Sequence, residues 1–148
     1  MTLRAATAGD LPRLVELAVA FYEEDGFTTP EPVLSANLRV LLGSPDRARV
    51  AVAVAGGQVA GFGITTTTFG LEYGLGAELE DLYVVPARRR QGLARDLIED
   101  SAAWAASIGA SRLEIVIAPN GQDVSHLFRY YAANGFTDEG RRLLSRPL

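Results

Sequence analysis

Cysteine is absent from the 148 residues, which excludes disulfides and thiolate-held metal sites. Lysine is absent as well: all 14 basic side chains are arginine. A nucleoside-triphosphate loop, which must end in Gly-Lys-Ser/Thr, therefore cannot occur. Histidine appears once, at His126. No uninterrupted apolar run reaches the roughly 18 residues that a membrane helix requires. The opening MTLRAATAGDLPRL lacks the apolar stretch of a signal peptide. Net positive charge is also missing: the formal charge is −4, against the broad basic face that nucleic-acid binding needs. These absences lead us to expect a soluble cytoplasmic protein without metal, membrane or nucleic-acid partner. An acidic balance suits a small cationic ligand, because negative clefts concentrate cations.

What is present is an ordinary globular composition, 48% hydrophobic and 22% charged. The length fits one domain spanning 1–148, long enough to bury a core. Arginine in place of lysine, together with abundant alanine, reads as genome composition rather than function.

Along the chain, TLRAA (2–6) reads as a short strand. Asp10 and Pro12 open a helix that runs to about Gly26. Thr29 as N-cap and Pro30 at the first helical position predict a second helix to Leu42. RVAVAVAGGQVAGFGITTTTF holds two β-rich runs around Ala55-Gly56-Gly57-Gln58, a hairpin signal. Residues 69–76 look like a glycine-punctuated loop, and ELEDLYVV (78–85) like a strand stopped by Pro86.

From Gln91 the pattern changes to helical. At about 100° per residue, Leu93, Ala94, Leu97, Ile98, Ser101, Trp104, Ala105 and Ile108 fall within roughly 140° of arc. SRLEIVIA (111–118) is the next predicted strand, so the helix is a right-handed crossover between parallel strands. A short helix from Ser125 to Asn134 and a final strand pair over 136–146 complete an α/β order of βααβββαβαβ.

One stretch stands out against the acidic background: Arg88-Arg89-Arg90-Gln91-Gly92-Leu93-Ala94, at a strand-to-helix junction. Backbone N–H groups at a helix start are unsatisfied and carry partial positive charge, so they hold phosphate. Gly92 lets an anion approach closely, and Ala94 keeps the first turn open. Taken alone, a solvated basic turn explains these residues as well as an anion site does.

Two further segments decide between those readings. LEDLYVVP precedes the arginines, and Tyr130-Tyr131-Ala132-Ala133-Asn134-Gly135-Phe136 follows about one helix and strand later. The succession resembles the GNAT superfamily of acetyl-coenzyme A dependent N-acetyltransferases, over essentially the whole chain. The superfamily's pyrophosphate-loop pattern, Gln/Arg-x-x-Gly-x-Gly/Ala, is matched by residues 89–94, and its late Tyr-x-x-x-Gly-Phe by Tyr131 to Phe136.

The resemblance implies a mixed, twisted sheet of six to seven strands flanked by about four helices, with acetyl-CoA as cofactor and a homodimer as a common assembly. It places the coenzyme A pyrophosphate on the amides of Arg90, Gln91, Gly92, Leu93 and Ala94, with Arg89 and Arg90 nearest the phosphates. Val84 and Val85 would pair with the pantetheine arm, an amide of one of them polarising the thioester carbonyl. The position where related enzymes often carry a cofactor-contacting asparagine is Val124 here, so Asn120 or Ser125 is expected to take over.

Acetyl transfer to an amine requires a base for the ammonium and an acid for the departing thiolate. Helical spacing puts Tyr131 on the inward face with Leu127 and Phe128, and the family motif also selects it as the acid. Within the superfamily, polyamine acetyltransferases carry an acidic residue where Glu80 stands, implying Glu80 as base; a salt bridge to an arginine is the competing reading. Strand alternation sends Glu78 and Glu80 to one face and Asp81 to the other. His126 reads as a surface residue.

Acceptor recognition is expected from FYEEDGF and FGLEYGLGAELED. These supply Tyr22, Glu23, Glu24, Phe27, Tyr73, Glu78 and Asp81, carboxylates beside aromatic faces that suit an amine by ion pairing and cation–π contact. The resemblance implies a small-molecule amine, a polyamine or aminoglycoside among them. Acetylation of a protein N-terminus or lysine, and a non-catalytic coenzyme A-binding regulator, are the competing functions.

Overall fold

The computed structural model describes residues 1–148. Its strands are β1 (Thr2–Ala5), β2 (Ala48–Ala55), β3 (Gln58–Gly70), β4 (Gly74–Val84) and β5 (Leu113–Glu114). Its helices are α1 (Leu11–Glu24), α2 (Glu31–Leu42), α3 (Leu93–Ser107) and α4 (Ser125–Ala133). The strands form one sheet in the order β1-β2-β3-β4-β5, antiparallel except for the parallel β4–β5 pair. No helix is long and apolar enough to cross a membrane.

Strand alternation divides the core in two. Val50, Val52, Phe62, Ile64 and Tyr83 face α1 and α2, meeting Leu14, Leu17, Leu34 and Leu38. Ala51, Ala53 and Val84 face α3, meeting Leu93 and Leu97. The α3 face is lined with small residues, so the helix lies close: a Cβ added at Gly63 would sit 3.8 Å from Leu97. Phe62 is 1% exposed at the centre of the larger cluster, and truncating it to alanine would cost about 3–5 kcal/mol. One polar contact is buried between sheet and α3, where Thr65 Oγ1 donates to Ser101 Oγ at 2.9 Å.

Several boundaries differ from the sequence reading. Pro30, not Thr29, is the N-cap of α2. Residues 69–76 are not a loop; β3 and β4 extend through them to a tight turn at 71–73. The helix after the arginines begins at Leu93, because Gly92 caps it in the left-handed region.

The sheet has five strands instead of six or seven, and the reason lies in β4. Ile64 pairs with Asp81 but Thr65 pairs with Leu79, so Glu80 is an extra residue, a β-bulge. Below the bulge β5 pairs with β4 at Ala77↔Leu113 and Glu78↔Glu114, and there the pairing stops. Residues 115–118 continue without a partner, so the expected strand over 111–118 shrinks to Leu113–Glu114. With no continuous β5 edge to receive them, residues 136–146 form no strand pair. The terminal segment is held by side chains instead, Arg141 bridging Glu72 at 2.6 Å.

Candidate active site

Where β4 and residues 115–118 part, a cleft of about 330 Å³ opens between them. One wall is β4 from Leu79 to Val84; the other is Ile115 to Ala118. The end of α1, through Phe21, Glu24 and Asp25, closes one side, and α4 closes the other through Leu127, Tyr130 and Tyr131. The slot is mainly apolar, with four carboxylates (Glu24, Asp25, Glu80 and Asp81) and one arginine, Arg89, along it.

The strand edge facing the slot is free of sheet partners. Val85 N–H donates to Ala60 O at 2.9 Å, on the β3 side. Its neighbour Val84 consequently turns its own peptide groups toward the slot. The Val84 carbonyl accepts from Arg89 Nε at 2.9 Å. Of the two valines singled out in the sequence, only Val84 can offer an amide to a bound molecule.

Beyond Val84 the slot runs into a second cleft, about 470 Å³, under the start of α3. Arg88, Arg89, Arg90, Gly92, Leu93, Ala94 and Arg95 line it, with Tyr130 and Asn134 across from them. Arg90 and Gly92 both have positive φ, 61° and 86°. That turn has no side-chain cap, and the first intrahelical bond of α3 is made by Asp96 N–H to Gly92 O at 3.0 Å. The amides of Leu93, Ala94 and Arg95 therefore lack intrahelical acceptors and face the cleft end of the helix dipole. A phosphate-bearing cofactor fits this arrangement: uncapped amides, open space at Gly92 and four arginines. Arg88 and Arg95 were not among the expected contacts, and Gln91 lines neither cleft.

Arg89 borders both clefts, but its guanidinium is already engaged. It is bonded to both carboxylate oxygens of Glu24 at 2.7 and 2.8 Å and lies 5.6 Å from the Tyr83 ring centre.

The bulge breaks the expected alternation of side-chain directions. Asp81 shares the α1 side with Tyr83, two residues on, and there Tyr22 donates to Asp81 Oδ1 at 3.0 Å; the extra residue brings Glu78 to that same side. Glu80 accepts from Thr66 Oγ1 at 2.8 Å, and no arginine pairs with it. Glu78, Glu80 and Asp81 thus gather on one side of the sheet, and Glu80 and Asp81 line the slot.

Their titration reflects that crowding. Burial, then the hydrogen bond and charge of Glu80, push Glu78 up to about 7. Burial raises Asp81, opposed by the Tyr22 bond and reinforced by Glu80. Tyr22 is raised strongly, by burial first and then by Asp81 and Glu80. Asp25 is raised by burial and by Glu24, with Arg89 and His126 acting in the other direction.

Tyr131 lines the slot from α4, edge-on to Phe136 at 5.6 Å. Burial, then Tyr130 and Asp25, push its phenol up to about 12, which keeps it protonated at neutral pH. His126 is exposed and borders the same cleft.

Eight expected site residues line neither cleft: Tyr22, Glu78, Val85 and Gln91, which adjoin one, and Glu23, Tyr73, Asn120 and Ser125. Asn120 donates to Asp25 O at 3.1 Å and clips its loop to the end of α1, with Gln122 doing the same to Glu24 O at 2.9 Å. Ser125 is engaged with Asp123 at 2.7 Å at the start of α4. Neither lines a cleft, whereas Val124 does. Glu23 is exposed outside the cleft. Tyr73 sits at the far hairpin turn, under Arg112 at 4.1 Å. Nothing in residues 115–118 themselves marks Ile115–Ala118 as a cleft wall, because an apolar run there reads as a buried strand.

The comparisons with known proteins agree with this geometry. Residues 11–136 match the acetyltransferase (GNAT) family model. No curated protein matches the chain. Among solved structures, an integron cassette protein from the mobile metagenome of Cole Harbour Salt Marsh is 30% identical, with a TM-score of 0.86 over 99% of this chain and 90% of that one. The aminoglycoside 6'-N-acetyltransferase AAC(6')-IG from Acinetobacter haemolyticus shares the fold at 22% identity, TM-score 0.82, over 100% and 99% of the two chains. So does AAC(6')-Iy in complex with the bisubstrate analog CoA-S-monomethyl-acetylneamine, at 20% identity, TM-score 0.85, over 99% and 97%. A split sheet with an uncapped glycine turn at one end and the family match over most of the length lead to one conclusion: this chain belongs to the GNAT acetyltransferase family.

Proposed function

We propose that this protein transfers an acetyl group from acetyl-CoA to a primary amine of a small cationic acceptor, such as a polyamine, an aminoglycoside or another amino-bearing metabolite. The observation that carries the reading is the slot opened by the Glu80 bulge, with the uncapped α3 turn at one end and carboxylates along it. Two relatives of the same fold act on aminoglycosides by name, which supports the acceptor class.

Bound acetyl-CoA supplies the activated thioester and the thiolate leaving group. The amides of Leu93, Ala94 and Arg95, with Arg88, Arg90 and Arg95 around them, hold the pyrophosphate. Val84 offers its amide to the carbonyl oxygen, where negative charge develops. Asp81, Glu24 and Tyr22, with Phe27 bordering the slot, hold the ammonium group.

Glu80 takes the proton from the ammonium, and Thr66 holds the carboxylate in place while it does so. Tyr131 gives its phenolic proton to the leaving sulfur. Transfer is direct in this reading, and the chain has no cysteine to carry an acyl group.

A thiol-release screen with acetyl-CoA tests the proposal against polyamines, aminoglycosides, amino acids and short peptides. Release confined to polyamines or aminoglycosides is expected. Turnover of peptides alone would move the assignment to protein acetylation, and coenzyme A binding without release on any amine would point to a regulator.

A further inference from the structure

The contact left unexplained by the reaction is the one made by Arg89. In a loop of arginines meant for phosphate, this guanidinium satisfies Glu24 through two bonds, at 2.7 and 2.8 Å. Its Nε meanwhile occupies the carbonyl of Val84, on the very edge that faces the slot. Arg89 borders both clefts, so it stands at their junction. Both partners of the ion pair are about two-fifths exposed, 41% and 42%. The pair is bidentate, but water reaches both partners and screens it, so a more highly charged partner can compete for the guanidinium.

We infer that Arg89 couples the two substrates: coenzyme A draws its guanidinium away from Glu24 and so releases that carboxylate to receive the acceptor's ammonium group. The inference rests on the proposed acetyl-CoA chemistry and adds an order of binding to it. A pyrophosphate at the uncapped turn is a stronger and more charged partner for arginine than an exposed glutamate. Before it arrives, Glu24 is neutralised and the acceptor end lacks one of its negative charges. Once Arg89 has moved, Glu24 joins Asp81 and Asp25 along the slot. By linkage, an acceptor that binds Glu24 must tighten coenzyme A by the same factor that coenzyme A tightens the acceptor.

Titration calorimetry on the full chain tests this. Coenzyme A should bind Glu24→Gln about three- to tenfold tighter than the unmodified protein, because no pair must be broken, and Arg89→Ala more weakly. In the double variant the gain from Glu24→Gln should vanish. Equal affinity of the unmodified protein and Glu24→Gln overturns the coupling, whereas no coenzyme A binding by the unmodified protein overturns the acetyltransferase reading itself. Spermidine serves as the acceptor probe: binding at least threefold tighter with coenzyme A present supports the release of Glu24. Equal binding in both states, or none in either, overturns that half. Circular dichroism of each variant confirms that the fold is retained.

Discussion

The Tyr22 hydroxyl donates to Asp81 Oδ1 at 3.0 Å, a bond between α1 and β4 made next to the Glu80 bulge. Burial raises the Asp81 carboxyl and this bond counteracts the rise. Tyr22→Phe removes the counteracting donor, so the Asp81 pKa must climb further. If Asp81 binds the acceptor as a carboxylate, the acid limb of kcat/KM moves to higher pH in the variant, while the coenzyme A affinity stays unchanged. An unmoved limb in the pH–rate profile would remove Asp81 from acceptor recognition.

Glu78 predicts a stability profile with a definite sign. Its folded pKa is raised to about 7, above the usual carboxylate range, so the folded state holds an extra proton between those limits. Stability from this group is therefore complete in mild acid and is lost as pH rises through about 7. Solvent screening at this half-exposed group limits the effect to about 1 kcal/mol or less. Thermal unfolding from pH 5 to 8 should show that decline, and Glu78→Gln should flatten it.

The proton-transfer roles are separable by kinetics. Tyr131→Phe should lower kcat by about 10²–10⁴-fold at neutral pH, the usual contribution of a general acid. The acceptor KM should change little, because the aromatic ring remains in place. Glu80→Gln should lower kcat by a similar factor and abolish the acid limb of the kcat profile. Full turnover by either variant sends its proton elsewhere.

Two glycines should fail for different reasons. A Cβ at Gly61 would lie 2.8 Å from the Tyr83 carbonyl, so Gly61→Ala must push β3 from β4. A loss of about 1–3 kcal/mol is expected, read as a lower denaturation midpoint. At Gly92 nothing stands within 4 Å, but φ is +86°. Gly92→Ala should cost about 1 kcal/mol in strain and weaken coenzyme A binding by distorting the amides of the turn. Wild-type affinity in that variant would sink the pyrophosphate assignment.

The amphipathic pattern of residues 93–108 and the strand alternation of β2 were legible because side-chain periodicity follows directly from backbone geometry. The Gly92 turn was legible through its loop pattern, and the structure adds that its backbone is left-handed, which glycine adopts without strain. That Glu78 and Asp81 share a face was not legible. A bulge shifts alternation by one residue, and LEDLYV carries no local mark of it.

The length of β5 was also out of reach, since pairing depends on where β4 has bent away. So was the position of Arg89, whose partner Glu24 lies 65 residues earlier in the chain. By itself the sequence determined the four helices and most of the strands to within a few residues, where the Gly92 turn lies, and which acidic and aromatic side chains were available. The tertiary structure alone decided which of them share a cleft. Those relations depend on a register shift in one strand and on contacts between distant segments, and neither leaves a periodic signal in the chain.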